Sequence, residues 1–222
     1  MSTFVLIPGA GGAGWYWHLV VPRLQEAGHA AIAVDLPGDD ETAGLPEYTR
    51  QVVDAIGDRD DVVLVAQSLG GFTAPLVAAT VPVRALVLVN AMIPTPGETP
   101  GGWWENTGWS HARKAAAERH GYPAEFDLPV YFLHDVAPEV AAAGEPHQRP
   151  EADAAFESVC DFEAWPSVPT RVVAGADDRF FPIEFQQRLA QERLGLEADV
   201  LPGGHLLALS QPDALAAYLL RD

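Results

Sequence analysis

Short apolar runs alternate along this chain with segments in which apolar residues recur at helical spacing. The runs predict β-strands, and the segments between them predict helices. We expect strands at residues 3–7, 30–34, 62–66, 84–89, 171–174 and 198–201, and helices at residues 15–27, 47–56, 72–80, 183–194 and 211–220. Strands that alternate with helices favour a parallel sheet with right-handed crossovers. Because the runs are almost continuously apolar, helices should cover both faces of that sheet.

The alternation is interrupted once, between residues 92 and 165. Pro, Gly and Trp are dense in the first part of this stretch, and short helical pieces are predicted near residues 111–120, 136–143 and 152–160. We interpret residues 92–165, called the insertion segment below, as a helical cap or lid over the carboxyl ends of the strands. Residues 1–91 and 166–222 then form the core, and the whole chain is expected to be a single domain.

Composition argues against several classes of partner. The 222 residues include 13 Lys and Arg against 31 Asp and Glu, a formal charge of −18. Nucleic acid would be repelled by this charge, and no apolar run approaches the roughly 20 residues of a membrane span. The amino-terminal residues lack the pattern of a signal peptide. The one cysteine, Cys160, permits neither an intramolecular disulfide nor a thiolate zinc cluster. We therefore expect a reducing cytoplasm as the location.

The stretch from Val62 to Gly71 has the form of a nucleophile elbow. An apolar strand runs into Ser68, and two glycines precede a predicted helix. The pattern is small-x-Ser-x-Gly, with Ala66 in place of the first glycine of G-x-S-x-G. Small residues let the strand and helix backbones pass close to the serine. Ser68 is therefore a candidate nucleophile, although a plain helix N-cap would also explain it.

A glycine-rich loop after the first strand has two interpretations. Gly9, Gly11 and Gly14, followed by Asp35 at the end of the second strand, match a dinucleotide-binding fingerprint. Bulky aromatic residues follow the loop, however, and the tight start of a dinucleotide-binding helix disfavours them. Lys114, the only lysine, has Ser rather than Tyr four residues before it, so the Tyr-x-x-x-Lys pair of short-chain dehydrogenases is absent.

The second interpretation of this loop is an oxyanion hole. The N–H groups of Ala10 and Leu69 are the candidate donors, and one such donor contributes roughly 3–4 kcal/mol at a transition state. We favour this interpretation because the loop occurs together with an elbow and two later motifs. Accordingly, no bound cofactor and no metal ion is expected.

A serine nucleophile needs a general base and an acid that orients the base. His205 directly follows the last predicted strand, behind two glycines that would let a loop bring its imidazole over the elbow. Asp177 and Asp178 follow the strand at 171–174, and both are candidates for the acid. The chain order of nucleophile, acid and base is that of one particular fold.

Together these motifs resemble the α/β-hydrolase superfamily over nearly the whole chain. The resemblance is greatest to the small subgroup that contains plant hydroxynitrile lyases and salicylate methylesterase-like enzymes. The stretches that carry it, besides the elbow, are residues 4–10, 14–17, 27–29, 34–38, 175–182 and 204–205. It implies a mainly parallel six-stranded sheet with helices on both faces and a helical cap. It also selects Asp178, because the family's catalytic aspartate lies four residues before the proline found here at position 182.

Two departures from the family pattern bear on function. Pro8 stands where the family usually has His before the oxyanion glycine. Leu206 follows the candidate base, where the cyanogenic lyases carry a lysine that handles cyanide. The absence of that lysine argues for hydrolysis over lyase activity.

The resemblance therefore implies a serine hydrolase that cleaves a small, mostly apolar carboxylic ester through an acyl-enzyme. Its partner would be a small-molecule substrate. Trp103, Trp104 and Trp109 are candidates for an apolar pocket wall, although a core internal to the insertion segment would explain each equally well. Gln67, beside the nucleophile, is a candidate for tuning the site, and a structural role would explain it equally well. Two alternatives remain open. Ser68, Asp178 and His205 would act on a thioester, lactone or carbon–carbon bond, or the chain would be a hydrolase-fold protein that binds a small ligand without catalysis.

Overall fold

Six strands form one parallel sheet. The computed structural model describes residues 1–221, and its strands are β1 (Thr3–Ile7), β2 (Ala30–Ala33), β3 (Val62–Gln67), β4 (Ala85–Val89), β5 (Thr170–Gly175) and β6 (Ala198–Leu201). Their order across the sheet is β2-β1-β3-β4-β5-β6, and every neighbouring pair is parallel. The predicted α/β class and six-stranded parallel sheet are confirmed, with each strand boundary within one residue of its expected place.

The helices of the described residues are α1 (Val20–Glu26), α2 (Leu45–Ile56), α3 (Gly70–Thr80), α4 (Pro100–Asn106), α5 (Trp109–His120), α6 (Leu128–Tyr131), α7 (Pro138–Gly144), α8 (Asp153–Glu157), α9 (Ile183–Leu194), α10 (Leu207–Ser210) and α11 (Pro212–Leu219). Two 3-10 turns span Gly14–Trp17 and Glu145–His147.

Two predicted helices were wrong in their extent. The piece expected at 152–160 is α8, which ends at Glu157 because the backbone of Ser158 is extended. The segment expected to be helical from 15 to 27 is a 3-10 turn followed, after a break, by α1. Pro22 explains the break, because it has no N–H to donate to the carbonyl of His18 and its ring would clash there. Three short helices, α4, α6 and α10, were not predicted. Each spans seven residues or fewer, and α4 opens on Pro-Gly-Gly, which are poor helix formers.

Two apolar layers hold the helices against the sheet. Alternate strand residues point to opposite faces. Leu6 and Val65 accordingly pack with α1 and α11 on one face, whereas Val5 and Leu64 pack with α2 and α3 on the other. All four side chains are fully buried, and a large aliphatic side chain contributes about 1.5–3 kcal/mol when it is fully buried. The expectation that helices cover both faces is therefore confirmed.

The strand order determines where loops meet. Because β1 lies between β2 and β3, the chain reverses its direction of progress across the sheet at β1. In such sheets, ligands bind beyond the carboxyl ends of the strands at this reversal. The register pairs Ile7 with Ala66, and Gln67 with Val89. The loops that follow β1, β3 and β4 are therefore level with one another.

The insertion segment joins the core through a third apolar cluster. Trp103 is fully buried in it, and its indole N–H donates to the carbonyl of Ile93 at 3.1 Å. The rest of the cluster includes aromatic and aliphatic side chains from both sides of the junction: Leu69, Phe72, Met92, Trp104, Trp109, Phe162, Phe181, Phe185 and Leu189. Cys160 also lies here, where its thiol donates to the carbonyl of Phe72 at 3.3 Å.

A buried ion pair ties the start of the insertion segment to α9. Both terminal nitrogens of Arg193 contact the carboxylate of Glu98, and the two side chains are only 10% and 3% exposed. Asn106 and the backbone N–H of Thr95 donate to the same carboxylate. Burial opposes its ionisation, but these donors outweigh it and hold the pKa of Glu98 below its usual value.

None of the helices described in residues 1–221 combines the length and apolar character needed to cross a bilayer.

Candidate active site

Ser68 sits on a strained turn between β3 and α3. Its φ angle is +49°, a left-handed conformation that is unusual for serine. Its carbonyl accepts hydrogen bonds from the N–H groups of Gly71 and Met92, at 3.0 and 2.9 Å. A Cβ at Gly70 would lie 2.6 Å from the carbonyl oxygen of Pro8, and one at Gly71 would lie 2.0 Å from that of Met92. The small residues of the elbow pattern are therefore required by close backbone packing.

A chain of hydrogen bonds connects Ser68 to two other predicted site residues. Nε2 of His205 lies 3.1 Å from Oγ of Ser68, and Nδ1 of His205 lies 2.8 Å from Oδ2 of Asp178. The side chains of His205 and Asp178 are 2% and 0% exposed. Asp177 takes no part in this chain of hydrogen bonds: it is exposed, and its backbone N–H donates to the carbonyl of Gly203.

The carboxylate of Asp178 is fully supplied with donors. Its Oδ1 accepts from the backbone N–H groups of Phe180 and Phe181, both at 2.8 Å. Its Oδ2 accepts from Nε2 of Gln186 at 3.2 Å as well as facing His205. A buried carboxylate is tolerated only when hydrogen bonds replace its lost hydration. This arrangement keeps the charge of Asp178 directed at the imidazole.

The loop that carries His205 is held by residues that no motif in the sequence marks. Asn90, at the end of β4, is fully buried, and its amide donates to the carbonyls of Gly204 and His205 at 3.0 and 2.9 Å. The oxygen of the same amide accepts from the N–H of Gly175, at the end of β5, at 2.7 Å. Asp135, from the insertion segment, accepts from the N–H of Gly204 at 2.6 Å.

Removal of the Asn90 amide should loosen this loop. We expect Asn90→Ala to lower the free energy of unfolding by about 2–3 kcal/mol, because three buried backbone groups lose their partner, and to lower kcat about tenfold through misplacement of the imidazole. Denaturant unfolding and steady-state kinetics would measure both effects. Asn90 has a φ of +43°, so Asn90→Gly should recover about 1 kcal/mol of the stability loss without restoring kcat. Wild-type activity in both variants would contradict this role.

Aromatic rings surround the imidazole of His205. Phe132 stacks on it with centroids 4.9 Å apart and an interplanar angle of 25°, while Phe180 and Phe181 approach at steep angles with centroids at 5.3 and 5.0 Å. Phe132 belongs to the insertion segment, whereas the other two follow Asp178. These rings exclude water from the imidazole, which strengthens the hydrogen bonds it makes.

The glycine loop after β1 packs directly against the elbow. A Cβ at Gly9 would lie 2.8 Å from Cβ of Ser68 and 2.4 Å from Oε1 of Gln67. Within residues 1–221, neither the N–H of Ala10 nor that of Leu69 donates a hydrogen bond to a protein acceptor. Both donors are therefore available to a ligand. Gln67, for its part, approaches the carbonyl of His205 with its amide at 3.4 Å.

Asp35, the residue that completed the dinucleotide fingerprint, is engaged within the protein. Its Oδ1 accepts from the N–H of Gly14 at 2.9 Å and pairs with Arg149 at 3.2 Å. In the dinucleotide interpretation this carboxylate would instead receive a ribose hydroxyl. The contacts of Asp35 thus assign it to holding the loop.

A cavity of about 540 Å³ lies beside the elbow. Gly9, Ala10 and Gln67 border it on the core side, and Phe132 connects it to His205. The remaining wall is mostly apolar and includes Trp15, Tyr16, Phe126, Leu128, Leu133, Val140, Ala141, Leu206 and Leu209, with His147, Gln148, Arg149 and Glu151 as its polar part.

The three tryptophans considered for the pocket wall do not line this cavity. Trp103, Trp104 and Trp109 pack in the third apolar cluster instead, with Trp104 and Trp109 centroids 4.6 Å apart. These positions agree with the other explanation given for the three tryptophans, which is that they pack in an apolar core of the insertion segment. Spacing alone could not distinguish the two, because an aromatic-rich segment has the same pattern whichever way its rings point.

A parallel sheet in this order, with a serine on a positive-φ turn after β3 and a histidine after the last strand, defines the class of α/β hydrolases. The family model described as "Alpha/beta hydrolase family" matches residues 4–218. The chain therefore belongs to the alpha/beta hydrolase family, and the predicted resemblance is confirmed at that level.

Individual relatives agree with this assignment. Methylesterase 7 of Arabidopsis thaliana is 36% identical over 112 residues, which cover 45% of this chain and 43% of that protein; the chain thus spans less than half the length of this relative. Salicylic acid-binding protein 2 of Nicotiana tabacum is 27% identical over 256 residues, which cover 98% and 95%. The crystal structure of polyneuridine aldehyde esterase has a TM-score of 0.79 at 23% identity, covering 99% of this chain and 98% of that one, a likeness of fold.

Proposed function

We propose that this protein is a serine esterase in which Ser68 is the nucleophile, His205 the general base and Asp178 the acid that orients it. The observation that carries the proposal is the continuous hydrogen-bonded chain from Ser68 Oγ through His205 to Asp178. A hydroxyl is a weak nucleophile until a base within hydrogen-bond reach takes its proton. The relatives whose names include esterase or methylesterase support the same reaction.

The reaction follows from these positions. Ser68 Oγ attacks the ester carbonyl as its proton passes to Nε2 of His205, and Asp178 stabilises the resulting imidazolium. The carbonyl oxygen becomes an oxyanion that accepts hydrogen bonds from the N–H groups of Ala10 and Leu69. His205 then protonates the leaving alcohol, which leaves an acyl group on Ser68. A water molecule activated by His205 hydrolyses that acyl-enzyme and releases the carboxylic acid.

The cavity supports a small, mostly apolar ester as the substrate. Its volume of about 540 Å³ lies within the range of roughly 300–1,000 Å³ typical of small-molecule sites. Most of its wall consists of aromatic and aliphatic side chains, which favour an uncharged acyl or alcohol group. Leu206, on this wall, offers no amine beside the base, which supports hydrolysis over cyanogenic cleavage.

We also propose that the insertion segment, residues 92–165, acts as the cap of this site, over a core formed by residues 1–91 and 166–222. It contributes Phe126, Phe132 and Val140 to the cavity wall, and Asp135 to the loop of the base. A cap placed this way would shape the substrate pocket and exclude water from the reacting groups.

Labelling with a fluorophosphonate tests this function. We expect one adduct per wild-type molecule, located by peptide mass spectrometry on Ser68, and no adduct on a Ser68→Ala control. Panels of short aliphatic and aromatic esters, thioesters and lactones should then show the highest kcat/KM for uncharged esters. A folded wild type that forms no adduct, while the probe labels a reference serine hydrolase, would overturn the proposal. Faster turnover of thioesters or lactones would retain the nucleophile and change the substrate class.

A further inference from the structure

A short part of the insertion segment crosses the glycine loop. The N–H of Ala152 donates to the carbonyl of Gly38 at 2.7 Å, and the side chain of Arg149 pairs with Asp35 at 3.2 Å. A Cβ at Gly11 would lie 2.5 Å from the carbonyl oxygen of Arg149, so the two backbones are in close contact there. Residues 149–152 therefore form a strap that lies directly on the loop bearing the Ala10 N–H.

Glu151 is the side chain through which the strap holds the loop. Its Oε2 accepts from the backbone N–H of Gly11 and its Oε1 from the hydroxyl of Tyr48, each at 2.5 Å. Burial raises the pKa of the Glu151 carboxyl above its ordinary value, and these two donors oppose that rise. Tyr48 is a buried residue of α2 that does not line the cavity. The carboxylate thus joins the insertion segment, α2 and the glycine loop at one point.

The loop needs such an anchor. Pro8 supplies neither a backbone N–H nor a polar side chain. Gly11 and Gly12 have φ angles of +82° and +68°, and glycine loses more conformational entropy than any other residue when its backbone is fixed. Within the loop, one turn bond from the N–H of Gly12 to the carbonyl of Gly9, at 3.1 Å, brackets Ala10. Contacts from outside the loop add to this bond in fixing the direction of the Ala10 N–H. The bond from Gly11 N–H to Glu151 is made one residue beyond the proposed oxyanion donor.

We propose that Glu151 is a positioning residue that holds the glycine loop in the shape that directs the Ala10 N–H toward the oxyanion. This inference rests on the proposed esterase function. It assigns to the cap a part in transition-state stabilisation that is separate from shaping the pocket. Because the carboxylate acts through the loop, its removal should affect all esters alike.

The test compares Glu151→Leu with two variants. Leucine accepts no hydrogen bond, so Gly11 and Tyr48 both lose their acceptor; a glutamine would keep Gly11 on its oxygen and donate to the Tyr48 hydroxyl. Tyr48→Phe removes the hydroxyl donor outside the cavity, and Glu157→Leu removes an exposed carboxylate on α8 as the matched control. We expect Glu151→Leu to lower kcat about tenfold for a small and a bulky uncharged ester equally, with KM changed less than about twofold, since one oxyanion donor is misplaced and not removed. Tyr48→Phe should show a smaller loss of the same form, and Glu157→Leu none.

Two further readouts separate the possible outcomes. The rate of fluorophosphonate inactivation should fall by the same factor as kcat. Hydrogen exchange of the Gly11 amide, measured in peptides covering the loop, should accelerate in Glu151→Leu and not in Glu157→Leu. Glu151 also borders the cavity, so a loss that differs between the two esters or appears in KM would show that it acts by contact with the substrate and would overturn the inference. So would unchanged exchange, or a rise in kcat from relief of charge repulsion. A wild type that resists the probe and cleaves no ester would overturn the proposed function itself, and unchanged Gly11 exchange would then refute the anchor independently.

Discussion

Asp178→Asn is expected to lower kcat by about 10⁴-fold, whereas Asp177→Asn should leave it within about twofold of the wild type. The two residues are adjacent and chemically identical, yet only Asp178 faces Nδ1 of His205, at 2.8 Å. In Asp178→Asn, the amide oxygen can still accept from Phe180 and Phe181, so the loop should keep its shape. The amide nitrogen would then face Nδ1 of the imidazole.

That substitution changes the tautomer of the His205 imidazole. Facing an N–H donor, Nδ1 of His205 must give up its proton and become an acceptor, so Nε2 carries the hydrogen and cannot take one from Ser68. Ester kinetics and thermal unfolding of both variants would check this. We expect unfolding temperatures close to that of the wild type, which separates the loss of the base from a loss of the fold. Equal activities in the two variants would show that Asp178 is not the acid.

Arg193→Met is expected to lower the free energy of unfolding by about 3–5 kcal/mol, because it leaves the carboxylate of Glu98 buried without its cation. In a chain of this size that loss corresponds to a decrease in Tm on the order of 10 °C. The matched control is Arg119→Met, which also breaks an ion pair between the insertion segment and α9. That pair, with Glu184, has both side chains more than half exposed and should contribute less than about 1 kcal/mol.

A double variant tests the cause of this loss. Adding Glu98→Gln to Arg193→Met removes the buried charge, so the double variant should be more stable than Arg193→Met alone. Chemical denaturation of the wild type and the three variants would give the coupling energy. If the double variant has the sum of the two single losses, the pair is not coupled.

The same pair gives a direction for the pH dependence of stability. The pKa of Glu98 is lower in the folded protein than its usual value, so its stabilising contribution is complete above the unfolded-state pKa of about 4.3 and is lost as the pH falls through the folded pKa. Glu98→Gln lacks this contribution. Its stability should therefore fall less steeply than that of the wild type below about pH 4.3.

Much of the fold could be predicted because its signals are local. A buried parallel strand must be apolar on both faces, so β1 and β3 stand out as apolar runs. The elbow, the acid loop and the loop of His205 were found because each follows a strand directly. Parallel strands end at one edge of the sheet, which places such loops together. Pro22, which divides the predicted first helix, was visible in the sequence, but the apolar periodicity around it outweighed it.

The supports of the site could not be predicted, because they connect distant parts of the chain. Glu151 reaches a glycine 140 residues away, and Asp135 reaches one 69 residues away. Nothing in their neighbours distinguishes these carboxylates from the many exposed ones of an acidic chain. Asn90 did carry a signal, since a polar residue at the end of a buried strand needs partners. Its three bonds depend on β5 and β6, however, which lie about 80 residues or more beyond it.

The single cysteine, Cys160, provides a natural probe of local opening in the protein. The Cys160 thiol is fully buried, and this burial is the main reason that its pKa is raised to about 12. Alkylating reagents attack the thiolate, so they should react only with molecules in which this part of the chain has separated from α3. At low reagent concentration the alkylation rate would then give the fraction of molecules that are open, and at saturating reagent it would give the rate of opening. The thiol rests on the carbonyl of Phe72, in the helix that begins just after Ser68, so this measurement follows the opening of that junction without an attached label.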